Sequence, residues 1–363
     1  MLTIEEVEVE GYEKVIEGKD PSRALHCFIA VHNTALGPAL GGTRVHRYPN
    51  PEDALQDVLK LARAMTYKSA VVQSGLGGGK SVIIADPFTE KTEETLTAFA
   101  EVLDSLAGLY IAAEDVGSST ADMNFILQHT PYVAATSKEQ SSGDPSPYTA
   151  WGVFRGIQAT AQKLFHSSSL KDKTIAIQGL GNVGGKLANL LFWHGAKLIV
   201  SDINTKHVRH CIRDYHATPV EPIDFCKVEC DILAPCAFGG IINDKTIEQL
   251  KCKAVAGGAN NQLASPVLAE KLAEKGILYA PDYIINAGGL INAAMEYEIN
   301  GYDPIKSRNK TDRIFDLLLE IYERAEKEKT TTVVIANQIA EFNLKNGIGK
   351  RKNPIYFNKK ASV

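Results

Sequence analysis

Leu55, Val58, Leu59, Ala62 and Met65 recur at three- and four-residue spacing through residues 52–67, which predicts an amphipathic helix. Asn50 is placed to cap it, with Pro51 at its first position. Similar patterns cover 93–108 and, over a longer span, roughly 304–328, where Ile314, Leu317, Leu318 and Ile321 share one face. Short apolar runs bounded by turn residues separate the helices. These are Ser81–Ala85 closed by Asp86-Pro87, a strand from 109 running into a loop by 119, "TIAIQ", "KLIVSD", "DILAP", "AVAGG" and "ILYAP". Strands that alternate with helices are what a doubly wound parallel sheet requires. Periodicity breaks most clearly at 140–149, "QSSGDPSPYT". The expected organisation is therefore an α/β protein of two domains with a cleft between them. Residues 1–135 form the first domain and 136–330 the second, with 331–363 packing back on the first.

Composition narrows the function classes. The chain has 363 residues, 44% hydrophobic and 23% charged, as an ordinary globular protein does. A net charge of −4 gives no electrostatic ground for a nucleic acid or an anionic membrane as partner. No apolar stretch approaches the ~18 residues of a membrane span, and the acidic start "MLTIEEVEVEGYEKV" has no apolar signal-peptide core. A cytoplasmic location is expected. The six cysteines form no CxxC pair, so reduced thiols are expected and no metal site. The basic residues near the end (Lys350, Arg351, Lys352, Lys359, Lys360) read as a solvated tail or a subunit contact.

Two constellations carry chemistry. Gly179-Leu180-Gly181-Asn182-Val183-Gly184 is G-x-G-x-x-G, between a strand and a helix. Asp202 ends the next strand, 21 residues past Gly181, where an acid would bind the adenosine ribose. Glycines let a pyrophosphate meet backbone N–H groups at a positive helix terminus. The carboxylate accepts from a ribose diol and repels a 2′-phosphate, so NAD is expected over NADP. The second constellation lies in "SGLGGGKSVIIADP", where Lys80 sits between glycines and an apolar strand. Partial desolvation lowers an amine pKa and makes a base possible. Lys68 and Asp115 lie in the same domain, each with a plainer reading: a helix-end lysine opposing the dipole and a loop-capping carboxylate.

Nine segments in order, "GPALGGTR", "MTYK", "GLGGGK", "AEDVG", "SSGDPSPYTAWGV", "GLGNVG", "CDILAPCA", "GGANNQL" and "PDYIINAGGLIN", together resemble the glutamate/leucine/phenylalanine/valine dehydrogenase family, closest to its leucine branch. The resemblance implies a substrate and oligomerisation domain followed by a Rossmann-type NAD domain. It implies NAD-dependent oxidative deamination of L-leucine and other branched-chain L-amino acids to 2-oxo acids and ammonia. Lys80 would be the catalytic base, Lys68 the partner of the substrate carboxylate, and Asp115 the group exchanging a proton with the substrate nitrogen. Thr149, Asn260 and Asn286 would surround the nicotinamide. Leu40, Gly41, Ala113, Leu290 and Ala293 would line an apolar side-chain pocket. A homo-oligomer, an octamer, is also implied. The alternatives are a phenylalanine or valine dehydrogenase, and a non-catalytic NAD-binding regulatory protein.

Overall fold

Alternate residues of a single strand, Leu25–Asn33, serve two cores. Cys27, Ile29 and Val31 face one way, and Phe28 and Ala30 the other. A strand with both faces covered needs a continuous apolar run, and this one has it from Cys27 to Val31. The structure is a computed structural model that describes residues 1–137 and 141–357. It divides into two compact units.

The first unit holds a six-stranded sheet. Its strands are β1 (Thr3–Glu6), β2 (Lys14–Asp20), β3 (Leu25–Asn33), β4 (Ala39–His46), β5 (Gly77–Ile84) and β6 (Tyr110–Glu114). The order is β1-β2-β3-β5-β4-β6, with β4 parallel to both β5 and β6. Helix α1 (Pro51–Val71) covers one face, through Ala54, Val58, Leu59 and Ala62 against Val15, Phe28, Ala30 and Val82. The side chain of Asn50 caps it, accepting from the Asp53 N–H. Helices α2 (Glu93–Asp104) and α3 (Thr120–Leu127) lie on the other face, around Phe99, Leu103, Met123 and Ile126.

The second unit contains α4 (Ser146–Phe165) and an all-parallel sheet. The sheet comprises β7 (Thr174–Gln178), β8 (Lys197–Ser201), β9 (Thr218–Pro219), β10 (Glu229–Pro235), β11 (Lys251–Val255) and β12 (Leu278–Tyr279). Its order, β12-β11-β10-β7-β8-β9, reverses at β7, and α5 (Asn182–Trp193) starts beside that switch point. No helix among the described residues is long and apolar enough to cross a membrane. The six cysteines are free thiols, five of them buried.

Three local features differ from the sequence expectations. The glycines before Lys80 are not a loop: Gly77, Gly78 and Gly79 belong to β5, so Lys80 sits in mid-strand, paired with Ala30. The long helix expected over 304–328 is two, Pro304–Asp312 and Ile314–Glu328. They part at Arg313, whose N–H reaches back three residues to Lys310 instead of four. The first unit also extends past 135, to Asp144, and takes in Ala293–Pro304 and the chain from Ile339 onward. The reason is visible at Glu296. Its Oε1 accepts from the Ala135 N–H, the Ser141 hydroxyl and the Ser142 N–H and hydroxyl, at 2.5–2.9 Å, and so ties the segment after 135 to this unit. Arg351 returns the C-terminal chain to the same unit, donating to the carbonyls of Gly75 and Tyr297.

Candidate active site

Strand parity decides which side chains meet. Val82 faces α1, so Gly78 and Lys80 do too. Gly78 permits a close approach there: a Cβ at this position would overlap the backbone of Thr66, so helix backbone rests directly on strand backbone. Lys80 follows Gly78 by two residues and is only 5% exposed. On the neighbouring strand, Thr43 pairs with Ser81 and meets it hydroxyl to hydroxyl on the opposite face, which leaves Gly42 and Arg44 on the α1 side. Asp115 follows β6. The Ser118 hydroxyl pins this loop, accepting from the Asp115 N–H and donating to the Thr43 carbonyl.

The result is a compact charged cluster. Lys80 Nζ lies 3.0 Å from Asp115 Oδ2, and Arg44 Nε donates to the same oxygen at 3.1 Å. Arg44 Nη1 donates to Asp57 Oδ2 at 2.8 Å, and the Tyr48 hydroxyl donates to that oxygen at 2.6 Å. Burial pushes the Asp115 carboxyl up, but Lys80 and Arg44 outweigh it and hold the group below the usual carboxylate range. Burial likewise opposes the charge on Arg44, and Asp115 and Asp57 reverse the effect, holding its pKa above the usual value. Burial and the adjoining Asp57 push the Tyr48 hydroxyl well up, so it stays a donor. Gly42 makes room for the pair. A Cβ there would come within 2.7 Å of Asp115 Cβ and 3.0 Å of Lys80 Nζ. Lys68 is half-buried in the last turn of α1. It follows Asp57 by eleven residues, about three turns, so the two share one stripe of the helix.

The second unit presents a cradle for an anion. Gly181 caps α5 without any side-chain cap, so N–H groups of the first turn have no side-chain acceptor there, and a Cβ at Gly181 would meet nothing within 4 Å. A Cβ at Gly184 would overlap the Gly179 carbonyl, which fixes the tight strand-to-helix turn. Asp202 Oδ2 accepts from the Leu180 N–H at 2.5 Å and Oδ1 from the Asn204 N–H at 2.7 Å. Burial raises the Asp202 carboxyl, but these donors and His207, 3.5 Å away, hold it below the usual range. Asn286 donates to Asn260 Oδ1 at 2.7 Å and to the Gly258 carbonyl at 3.1 Å. A Cβ at Gly258 would come 3.2 Å from Val183 of the glycine turn, so the backbone that Asn286 bonds lies beside that turn. Thr149 sits in the first turn of α4, against Gly289. A turn open to a pyrophosphate, with an anionic carboxylate at the next strand end, fits a dinucleotide.

Residues 8–132 match the family model described as the Glu/Leu/Phe/Val dehydrogenase dimerisation domain, and residues 142–345 match the Glutamate/Leucine/Phenylalanine/Valine dehydrogenase model. The chain is 48% identical to a leucine dehydrogenase of Geobacillus stearothermophilus, over 92% of this chain and 91% of that one. The chain belongs to the Glu/Leu/Phe/Val dehydrogenase family. It is thus an oxidoreductase of the NAD(P)-dependent amino-acid dehydrogenases. A phenylalanine dehydrogenase of Bacillus thermotolerans is 43% identical, over 94% and 90% of the two chains. The crystal structure of L-tryptophan dehydrogenase from Nostoc punctiforme superimposes with a TM-score of 0.81 at 42% identity, covering 93% of this chain and 97% of that one.

Within this Glu/Leu/Phe/Val dehydrogenase the structure brings Lys80 and Asp115 into contact. Leu40 is buried on β4, Gly41 gives its carbonyl to the Tyr110 hydroxyl at 2.7 Å, and Ala113 pairs with Gly42. Leu290 and Ala293 are buried on the short helix Gly288–Ala294. Sequence reasoning gave no role to Arg44, Asp57 or Tyr48. One signal was present: Asp57 and Lys68 are spaced to share a helix stripe. The partner of that stripe was not readable, because it depends on how β4 and β6 pair.

Proposed function

We propose that this dehydrogenase catalyses NAD-dependent oxidative deamination of L-leucine and other branched-chain L-amino acids. The observation that carries the reading is the buried Lys80–Asp115 contact at 3.0 Å. Asp115, held as an anion, takes a proton from the substrate ammonium and later returns one to the departing nitrogen. Lys80 takes the proton of the water that attacks the oxidised Cα, and returns it in the reverse direction. Lys68 pairs with the substrate carboxylate. NAD, bound at the Gly179–Gly184 turn, supplies the hydride acceptor. Burial of Lys80 keeps bulk water from its nitrogen. The protein works as a homo-oligomer, an octamer by the family resemblance, and the dimerisation description of residues 8–132 supports self-association.

Leu40 and Ala113 offer aliphatic carbon on the Lys80 face of the sheet, which supports an aliphatic substrate side chain. A panel of amino acids, read by NADH formation, should give leucine, isoleucine and valine well above phenylalanine and tryptophan. Ala113→Gly removes one methyl, about 0.8 kcal/mol of buried surface for an aliphatic substrate. For an aromatic substrate it relieves overlap that typically costs ~1–3 kcal/mol. The phenylalanine-to-leucine ratio of kcat/KM should therefore rise by at least about tenfold. A parent that prefers phenylalanine or tryptophan would establish the aromatic reading, which the 43% identical phenylalanine dehydrogenase favours.

NAD over NADP rests on Asp202. Asp202→Ala should raise the NADPH-to-NADH affinity ratio by about tenfold or more, measured by fluorescence titration, because a fixed negative charge no longer opposes the 2′-phosphate. An unmoved ratio would remove Asp202 from the ribose.

A further inference from the structure

A base must give up and regain its proton in every cycle. If Lys80 is that base, the Asp115 carboxylate loses one cationic partner whenever the amine is neutral. A half-buried carboxylate left alone would then draw a proton or swing away. Arg44 removes this difficulty, because its guanidinium does not deprotonate in a protein.

We propose that Arg44 is a positioning residue that keeps Asp115 ionised and fixed in orientation through the part of the cycle in which Lys80 is neutral. The inference rests on the roles proposed above for Lys80 and Asp115. Three observations carry it. Arg44 Nε and Lys80 Nζ both take Oδ2 of Asp115, and no hydrogen bond among the described residues reaches Oδ1. The carboxylate thus has one oxygen for anchoring and one to meet the substrate nitrogen. Arg44 is itself anchored at its far end, by Asp57 on α1, and Tyr48 secures Asp57. The loop backbone is fixed separately by Ser118, so Arg44 governs the carboxylate and not the loop.

The groups facing Asp115 are Lys80 from β5 and Arg44 from β4, with Glu114 beside it in sequence and Asp57 and Tyr48 behind Arg44. Tyr110 of β6 turns to the other face of the sheet, its hydroxyl on Ser81 and the Gly41 carbonyl, and feels the Asp115 charge only through the sheet. Removing Arg44 takes away one of the two charges that lower the Asp115 carboxyl and leaves burial less opposed. Its pKa then rises, and turnover is lost at a higher pH on the acidic side.

Arg44→Gln should lower kcat by about a hundredfold, the cost typical of a misplaced reacting group. The acidic limb of the kcat–pH profile should move up by about one unit. NADH binding should equal the parent's. Arg44→Lys keeps the charge but not the fork, and should recover part of the loss and most of the pH shift. Asp57→Asn, which loosens Arg44 without removing it, should lower kcat by several-fold with a limb shift of the same sign. Parent-like kcat and an unmoved limb in Arg44→Gln would overturn the proposal. So would a fall in kcat with an unmoved limb and no recovery in Arg44→Lys, since that is what loss of packing alone gives. If Arg44→Gln fails to bind NADH, Arg44→Lys and Asp57→Asn decide by the same profile. Asp115→Asn separates the layers. If it turns over like the parent, the role of Asp115 fails. If it is inactive while Arg44→Gln is parent-like, only the role of Arg44 fails.

Discussion

Replacing Lys80 with alanine is expected to reduce deamination by about a thousandfold or more while NADH binding stays at the parent level. General acid–base groups typically contribute about 10²–10⁴ in rate, and Lys80 is assigned a proton transfer that no exposed group replaces. The variant should still fold. Breaking a buried ion pair usually costs about 3–5 kcal/mol because a charge is stranded, but Asp115 keeps Arg44 at 3.1 Å. The cofactor turn belongs to a separate unit with its own core around Ala176, Leu233, Val255 and Leu272, so it is untouched. Turnover assays beside fluorescence titration with NADH separate the two effects. Turnover within tenfold of the parent would remove Lys80 from the base role.

Arg44 explains why such a variant is informative, and also why the site was only partly legible beforehand. The glycine turn and Asp202 are local: a strand, a turn and a helix within ~30 residues, with the acid at the next strand end. Such a unit reads directly from spacing. The cluster around Asp115 is not local. Arg44 and Asp115 are 71 residues apart, and they meet because β4 pairs with β6 in one particular register. A shift of one residue would turn Arg44 to the opposite face. The glycines at 77–79 misled for a related reason. Local propensity reads three glycines as a turn, whereas here each clears space for something distant in sequence: Asn33 and Gly37, Thr66, and the ring of Tyr110. The extra length of the first unit rests on Glu296, more than 150 residues from the serines it holds. The broad fold was readable because two-sided apolar strands and amphipathic helices recur with clear periods, as in β3 and α1.

Gly78→Ala is expected to cause a large loss of folded protein. The added Cβ would overlap the N, Cα and Oγ1 atoms of Thr66. Overpacking against flexible side-chain ends typically costs about 1–3 kcal/mol. Here the obstacle is the backbone of α1, a 21-residue helix that cannot yield locally, so the cost should lie at or above the top of that range. Thr66 is also tied in, its hydroxyl meeting His32 Nδ1 at 2.9 Å and the Ala62 carbonyl at 3.3 Å. Either α1 lifts off β5 or the strand shifts, and both change the setting of Lys68 and Lys80, each two residues from the contact. Relief by a shift therefore costs activity, and no relief costs stability. Thermal unfolding of Gly78→Ala should show a melting temperature lower by several degrees. What folded protein remains should bind NADH normally yet turn over at least about a hundredfold more slowly. Gly181→Ala has nothing within 4 Å of the added carbon and serves as the opposite case, with a melting temperature close to the parent's. A Gly78→Ala protein with parent-like melting and turnover would show that α1 and β5 do not meet backbone to backbone at Thr66.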